Sequence, residues 1–180
     1  MSLCKKKKLA KTVVGIEYFA PAFQRARKVL NKAYNFDIEN EKEIEKFEKE
    51  GQKFDVILMP DILEHLRQPE AILARAHTWL KPHGFIVVSV PNIRHFSVLQ
   101  MLLRGRWDYE DAGIMDRTHV HFFTKATIIE MIEAAGFEVE TVVANGGYLP
   151  GWKGLLNALS GNRIRPWFEA QYMVKARRKS

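Results

Sequence analysis

Three carboxylates stand where an apolar run stops: Glu17 after "VVGI", Asp37 after "AYNF" and Asp61 after "FDVILMP". An acidic side chain closing a strand can accept both ribose hydroxyls of a nucleoside in charge-assisted hydrogen bonds. Glu17 is the first candidate for that role, and the competing reading is that it caps the helix starting near Ala20. Asp37 can accept from an exocyclic amine while Ile38 lies against a purine face. Alternatively, Asp37 holds a turn through its own backbone.

The six histidines raise the question of a metal. In "HVH" (119 to 121), strand geometry would put two imidazoles on one face, with Asp116 nearby. No third histidine or cysteine stands at ligand spacing, so no metal is assigned and the segment reads as a surface strand with one polar face.

These residues need elements to position them. Val13, Val14 and Ile16 form a β-branched run, and Phe23, Ala26 and Leu30 recur at helical spacing across Ala20 to Lys32. "AYNFDI" (33 to 38) reads as a short strand, "ENEKEIEKFEKE" as an exposed helix ended by Gly51, and "FDVILM" (54 to 59) as a buried strand. Pro69 to Leu80 is an amphipathic helix with proline at its first position, where a missing amide costs nothing. "KPHG" (81 to 84) turns the chain into the apolar strand "FIVVSV" (85 to 90). "FSVLQMLLRG" (96 to 105) reads as a helix stopped by Gly105, and "TKATIIEMIEAAGF" (124 to 137) as one with a threonine start and a glycine stop. "FEVETVVA" (137 to 144) alternates like a half-exposed strand, with "FEAQYMVKAR" (168 to 177) as its antiparallel partner across a loop and short helix. Strands apolar on both faces and alternating with helices argue for a parallel sheet covered by helices.

Composition bounds the rest. A chain of 180 residues, 47% hydrophobic and 27% charged, is ordinary globular material for one α/β domain. Its longest apolar stretches fall far short of the roughly 20 residues a membrane span requires, and the basic start lacks the apolar run of a signal peptide. With Cys4 the single cysteine, nothing points to an oxidising compartment, so a cytoplasmic protein is expected. The net charge of +7 is concentrated in "KKKK" (5 to 8) and "KARRKS" (175 to 180). No aromatic ladder or nucleic-acid motif accompanies it, so no nucleic-acid partner is expected.

Taken in order and spacing, "VVGIE", "NFDIE", "FDVILMPDILEHL" and "LKPHGFIVVSVPN" resemble the class I S-adenosylmethionine-dependent methyltransferases. The stretch "LLRGRWDYEDAGIMDRTHVHFFTKATIIEMIEAAGF" (102 to 137) resembles a bacterial branch with a ubiquinone-methyltransferase-like domain, common among cell-envelope and glycan biosynthesis proteins. The resemblance runs from about Thr12 nearly to the C-terminus. It implies a Rossmann-like doubly wound α/β fold, mostly parallel, with a C-terminal antiparallel hairpin and strand order 3-2-1-4-5-7-6. It also implies a cofactor site, with Glu17 and Tyr18 at the ribose, Asp37 and Ile38 at the adenine, and Pro60, Asp61 and His65 at the sulfonium and methionine part. "DRTHVHFFT" (116 to 124) would lie over the acceptor side. His121 stands where the branch often has arginine, and His83 where it usually has glycine.

The family's glycine-rich loop should lie about 20 residues before the strand-two acid, yet only sixteen residues precede Glu17. The first strand and its loop are therefore expected to be absent, and "SLCKKKKLAK" reads as the end of the helix that follows them. Losing a central strand leaves unpaired backbone costing about 1–3 kcal/mol per buried group, against a domain's stability of about 5–15 kcal/mol. Four resolutions are open: a fragment of a longer protein, a strand borrowed in a homo-oligomer that completes the sheet, direct pairing across the gap, or a decayed gene product.

Methyl transfer is an in-line displacement that needs a base only where an acceptor hydroxyl loses a proton. His65 and His119 are the candidates for that base, and His65 can equally be a structural histidine of its turn. Trp107 and Tyr109 either line an acceptor pocket or pack a loop. "GYLPGWKGLL" (147 to 156) reads as packed rather than as a membrane contact. The expected whole is a single, N-terminally incomplete methyltransferase domain over residues 1–180, acting on an oxygen or nitrogen of a small molecule, with glycan and lipid-linked precursors as candidates. Its rival is a non-catalytic module that works through protein contacts.

Overall fold

A computed structural model describes residues 10–147 and 151–179, apart from the side chain of Lys153. Cys4, the 5–8 lysine run, most of the 2–11 segment and Tyr148 to Pro150 thus lie outside the described residues. The chain divides into two compact units, 1–52 and 53–180.

In the first unit, β1 (Val14–Ile16) pairs in parallel with β2 (Lys32–Tyr34), Ile16 opposite Tyr34. Between them, α1 (Ala20–Ala26) is shorter than its periodicity predicts. Asn31 ends the helical path early, because its amide donates to Val13 O and its Oδ1 accepts from the Val13 amide. β2 also stops short of the expected 33–38 strand. Asn35 turns its Nδ2 onto the carbonyls of Glu17 and Tyr18, and Asp37 folds its carboxylate onto the Glu39 amide. α2 (Glu41–Lys49) starts under an Asn40 cap and buries Ile44 and Phe47. Gly51 follows at φ 66°, the left-handed stop that glycine takes without a Cβ penalty.

The second unit holds a four-stranded sheet in the order β3-β4-β6-β5. β3 (Phe54–Pro60) runs parallel to β4 (Leu80–Pro91), while β6 (Glu169–Arg178) is antiparallel to both β4 and β5 (Phe137–Gly146). Of the four pairings described, two are parallel and two antiparallel, so the hairpin contributes more than its length suggests. β4 begins five residues before the expected strand. "LKPHG" belongs to it, with Phe54 paired to Leu80 and a register shift before Val56. His83 supplies the left-handed residue there at φ 62°. α3 (Pro69–Trp79) and α5 (Lys125–Ala134) bury Leu73, Ala76, Ile128 and Ile132. With Ile86, Val88 and Val90 of β4 and Val174 and Ala176 of β6, these form the core. α4 (Phe96–Leu103) buries Val98.

Two expectations fail here. The 119–121 segment is not a strand, because the amides of Val120 and His121 both donate to the carbonyl of Glu64 instead of a ladder. The 147–156 stretch is not packed where it is described: α6 (Trp152–Leu159) leaves Trp152, Leu155 and Leu159 exposed. Among the described residues β1 pairs only with β2 and β3 only with β4. Val56 and Leu58 of β3 are exposed, so that strand is not covered on both faces.

Candidate functional site

Parallel pairing brings the carboxyl ends of β1 and β2 to the same edge of the first unit, which is where ligands sit in doubly wound sheets. Glu17 directly follows β1, half-buried. Its Oε1 accepts from the Phe19 amide at 2.9 Å, a local turn contact just ahead of α1, whose N-cap Phe19 has no side-chain cap, and among the described residues Oε2 has no partner. Asp37 uses Oδ1 to accept from the Glu39 amide at 2.9 Å, and its carbonyl accepts from Asn40. The turn reading of Asp37 is therefore realised with one carboxylate oxygen, while Glu17 does not cap α1. Tyr18 is 73% exposed and Ile38 half-buried.

In the second unit the chain leaves β3 through Pro60 and Asp61, the latter at φ 50°. A non-glycine residue held left-handed at the end of a parallel strand is a recurrent mark of functional loops. Asp61 Oδ1 accepts from Ser89 Oγ at 2.9 Å and Gln171 Nε2 at 2.6 Å, fixing the turn to β4 and β6. A single 3₁₀ turn, Leu63–His65, then places Glu64 inward and His65 outward.

Glu64 is 1% exposed, and neither carboxylate oxygen reaches a hydrogen-bond partner. Burial pushes its carboxyl up to about 7, and the charge of Asp61 adds to the rise; its own backbone amide lies close enough only to moderate it. The His65 and His119 rings meet edge to face, 4.7 Å between centroids. One nitrogen of each ring and one oxygen of Glu64 lie within 4.8 Å of one another. His119, buried, points Nδ1 at the Ile114 carbonyl, 3.1 Å away. His65 points Nδ1 at Thr118 Oγ1, 3.0 Å away, and that hydroxyl donates to Asp116 Oδ1 at 2.6 Å. The hydroxyl and amide of Thr118 together hold the Asp116 carboxyl below the usual carboxylate range.

The two candidate bases, His65 and His119, are thus brought together, although they stand 54 positions apart in sequence. His121 turns its Nε2 toward the Arg67 carbonyl instead of joining them. Glu64 went unselected, although "EHL" drew attention to His65. Nothing in the sequence marks a glutamate that a 3₁₀ turn will bury. Trp107 and Tyr109 are half-exposed, Trp107 meeting Tyr109 and Phe122 edge to face.

Residues 1–142 match the family described as a methyltransferase domain. The chain belongs to that family, the class I S-adenosylmethionine-dependent methyltransferases. Among curated proteins it is similar to the ubiquinone biosynthesis O-methyltransferase of Azorhizobium caulinodans, at 32% identity over 49% of this chain and 35% of the relative. It is also similar to that of Pasteurella multocida, at 35% identity over 46% of this chain and 39% of the relative. The matched part thus spans little more than a third of those relatives. Among solved structures, a SAM-dependent methyltransferase from Archaeoglobus fulgidus superposes with a TM-score of 0.66 at 16% identity, over 98% of this chain and 79% of that one. At that identity the likeness establishes the Rossmann-like fold alone.

Proposed function

We propose that the chain serves S-adenosylmethionine-dependent methyl transfer to an oxygen or nitrogen of a small molecule. The observation that carries this reading is the family match across residues 1–142. The relatives matched over part of their length are O-methyltransferases of ubiquinone biosynthesis, which favours a hydroxyl acceptor. S-adenosylmethionine supplies an electrophilic methyl group on a sulfonium. The residues fit its nucleoside part: the open Oε2 of Glu17 can accept from a ribose hydroxyl, and Ile38 offers an apolar surface beside Asp37 for adenine. Tyr18 directly follows Glu17 in the chain.

In the metal-free chain the hydrogen bonds to Thr118 and Ile114 keep the Nδ1 proton on His65 and His119. Nε2 of each is left with a lone pair. Either would serve as the base that takes the proton of an acceptor hydroxyl when S-adenosylmethionine supplies the methyl group.

Isothermal titration with S-adenosylhomocysteine tests the reading. The expected outcome is one site, weakened at least tenfold in Glu17→Ala, because the mutation removes the ribose acceptor. An equal heat for both chains would show that Glu17 does not hold the ribose.

A second reading, a non-catalytic module acting through protein contacts, is favoured by an edge of β3 that is unpaired among the described residues and by the exposure of Val56 and Leu58. It predicts a concentration-dependent oligomer in light scattering that Leu58→Lys disperses. A clean monomer would end it.

A further inference from the structure

We infer that Glu64, His65 and His119 form a divalent-metal site for a borderline ion of the zinc type. The inference does not depend on the methyltransferase reading. The first ground is Glu64 itself. A carboxylate that is 1% exposed, with both oxygens lacking hydrogen bonds, is normally either neutralised or paired with a cation. Among the described residues no lysine or arginine pairs with it. What it does face, within 4.8 Å, is a nitrogen from each of two imidazoles.

The second ground is the tautomer of those rings. A carbonyl oxygen only accepts, so His119 must donate from Nδ1 to Ile114 O. Thr118 gives its one hydroxyl proton to Asp116, so at 3.0 Å its oxygen can only accept from His65 Nδ1. Both rings are held with Nδ1 protonated and the Nε2 lone pair free. That is the form a metal needs, set by the kind of outer hydrogen bonds that orient metal-bound histidines. The chain Asp116–Thr118–His65 is a carboxylate-backed support with a hydroxyl interposed.

Two imidazoles and one carboxylate suit zinc and its first-row neighbours better than magnesium, which takes oxygen ligands in an octahedron. Three protein ligands leave a fourth position for water or an acceptor oxygen, the open arrangement of catalytic sites. A four-coordinate ion with bonds of about 2.0–2.2 Å holds its ligand atoms roughly 3.4 Å apart. The present separations are therefore within about 1.4 Å of closing. Asp61 is a poor alternative ligand, because Ser89 and Gln171 already hold its Oδ1. With an ion in place, the two lone pairs serve the metal, and a hydroxyl bound at the fourth position loses its proton to solvent.

Titration of the metal-free chain with Co²⁺ tests the site, read by the visible absorption of four-coordinate cobalt and by zinc displacement of that absorption. One equivalent should bind. His65→Ala, at an exposed position, and Glu64→Gln, which keeps the shape, should each lower affinity at least tenfold; His121→Ala should leave it unchanged. Circular dichroism of each variant confirms the fold. Absence of four-coordinate cobalt in the wild-type chain overturns the proposal, as does full affinity in either the His65 or the Glu64 variant.

Discussion

The buried carboxyl of Glu64 ties chemistry to stability at the residue scale. Its ordinary value of 4.5 rises to about 7 in the fold, so between these limits the folded chain holds a proton that the unfolded chain releases. Stability contributed by the neutral carboxyl is whole below 4.5, falls as the pH climbs through about 7, and is flat beyond. The total is on the order of 3 kcal/mol. Urea midpoints for wild type and Glu64→Gln, measured without metal from pH 4.5 to 8, isolate this group from carboxylates that titrate the opposite way, such as Asp116. The wild type should lose stability relative to the variant as pH rises. Parallel profiles would mean that Glu64 is solvated and ionised throughout. Thr118 acts on the same cluster by a different route. Thr118→Val removes the nearer of two acceptors at His65 Nδ1, leaving the Thr118 carbonyl at 3.4 Å, so the ring's nitrogen chemical shifts should move part of the way toward a mixture of tautomers with the fold intact. Unchanged shifts would show that Thr118 does not set the tautomer.

At the scale of elements, the polar ties that close strands rank by burial. Asn92, fully buried at the end of β4, donates Nδ2 to the carbonyls of Pro166 and Glu169 and accepts from the Arg94 amide. Asn92→Ala orphans these groups and should cost about 3 kcal/mol. Thr124 caps α5 in a reciprocal arrangement with Thr127, but near solvent, so Thr124→Ala should cost only about 1 kcal/mol. Denaturant melts of the two variants check the order, and a reversed ranking would contradict the burial argument. Elements driven by apolar periodicity were legible in the sequence: β3 and β4, α2 with Ile44 and Phe47, and the β5–β6 hairpin across its helix. Elements set by side chains bonding to distant backbone were not. Asn31 cuts α1 short by bonding to Val13, Asn35 and Asp37 end β2, and the Glu64 carbonyl takes the amides that would have made 119–121 a strand. The site divides in the same way. Glu17, Asp37 and Asp61 are candidates because strand ends are readable from apolar runs, while the partnership of Glu64, His65 and His119 depends on a tertiary contact that spacing does not encode.

For the molecule as a whole, burial is unevenly shared. Of 22 buried apolar residues among those described, Ile44 and Phe47 lie in the first unit and the other twenty in the second. At about 25 cal/mol per Å² of buried apolar area, so small a core offsets little of the chain entropy of some fifty residues. The three-residue ladder of β1 and β2 adds few hydrogen bonds. The amides of β1, β2 and α2 should therefore exchange with deuterium at least a hundredfold faster than those of β4 and β6, which lie in a sheet with fully buried side chains. A ligand that binds only the folded form adds stability in proportion to the logarithm of its concentration over Kd, about 2.7 kcal/mol at a hundredfold excess. If Glu17 and Asp37 hold the nucleoside, excess S-adenosylhomocysteine should slow exchange in β1 and β2 by up to about a hundredfold while leaving β5 and β6 nearly unchanged. Protection confined to the second unit would place the ligand away from Glu17 and remove the ground for assigning it the ribose.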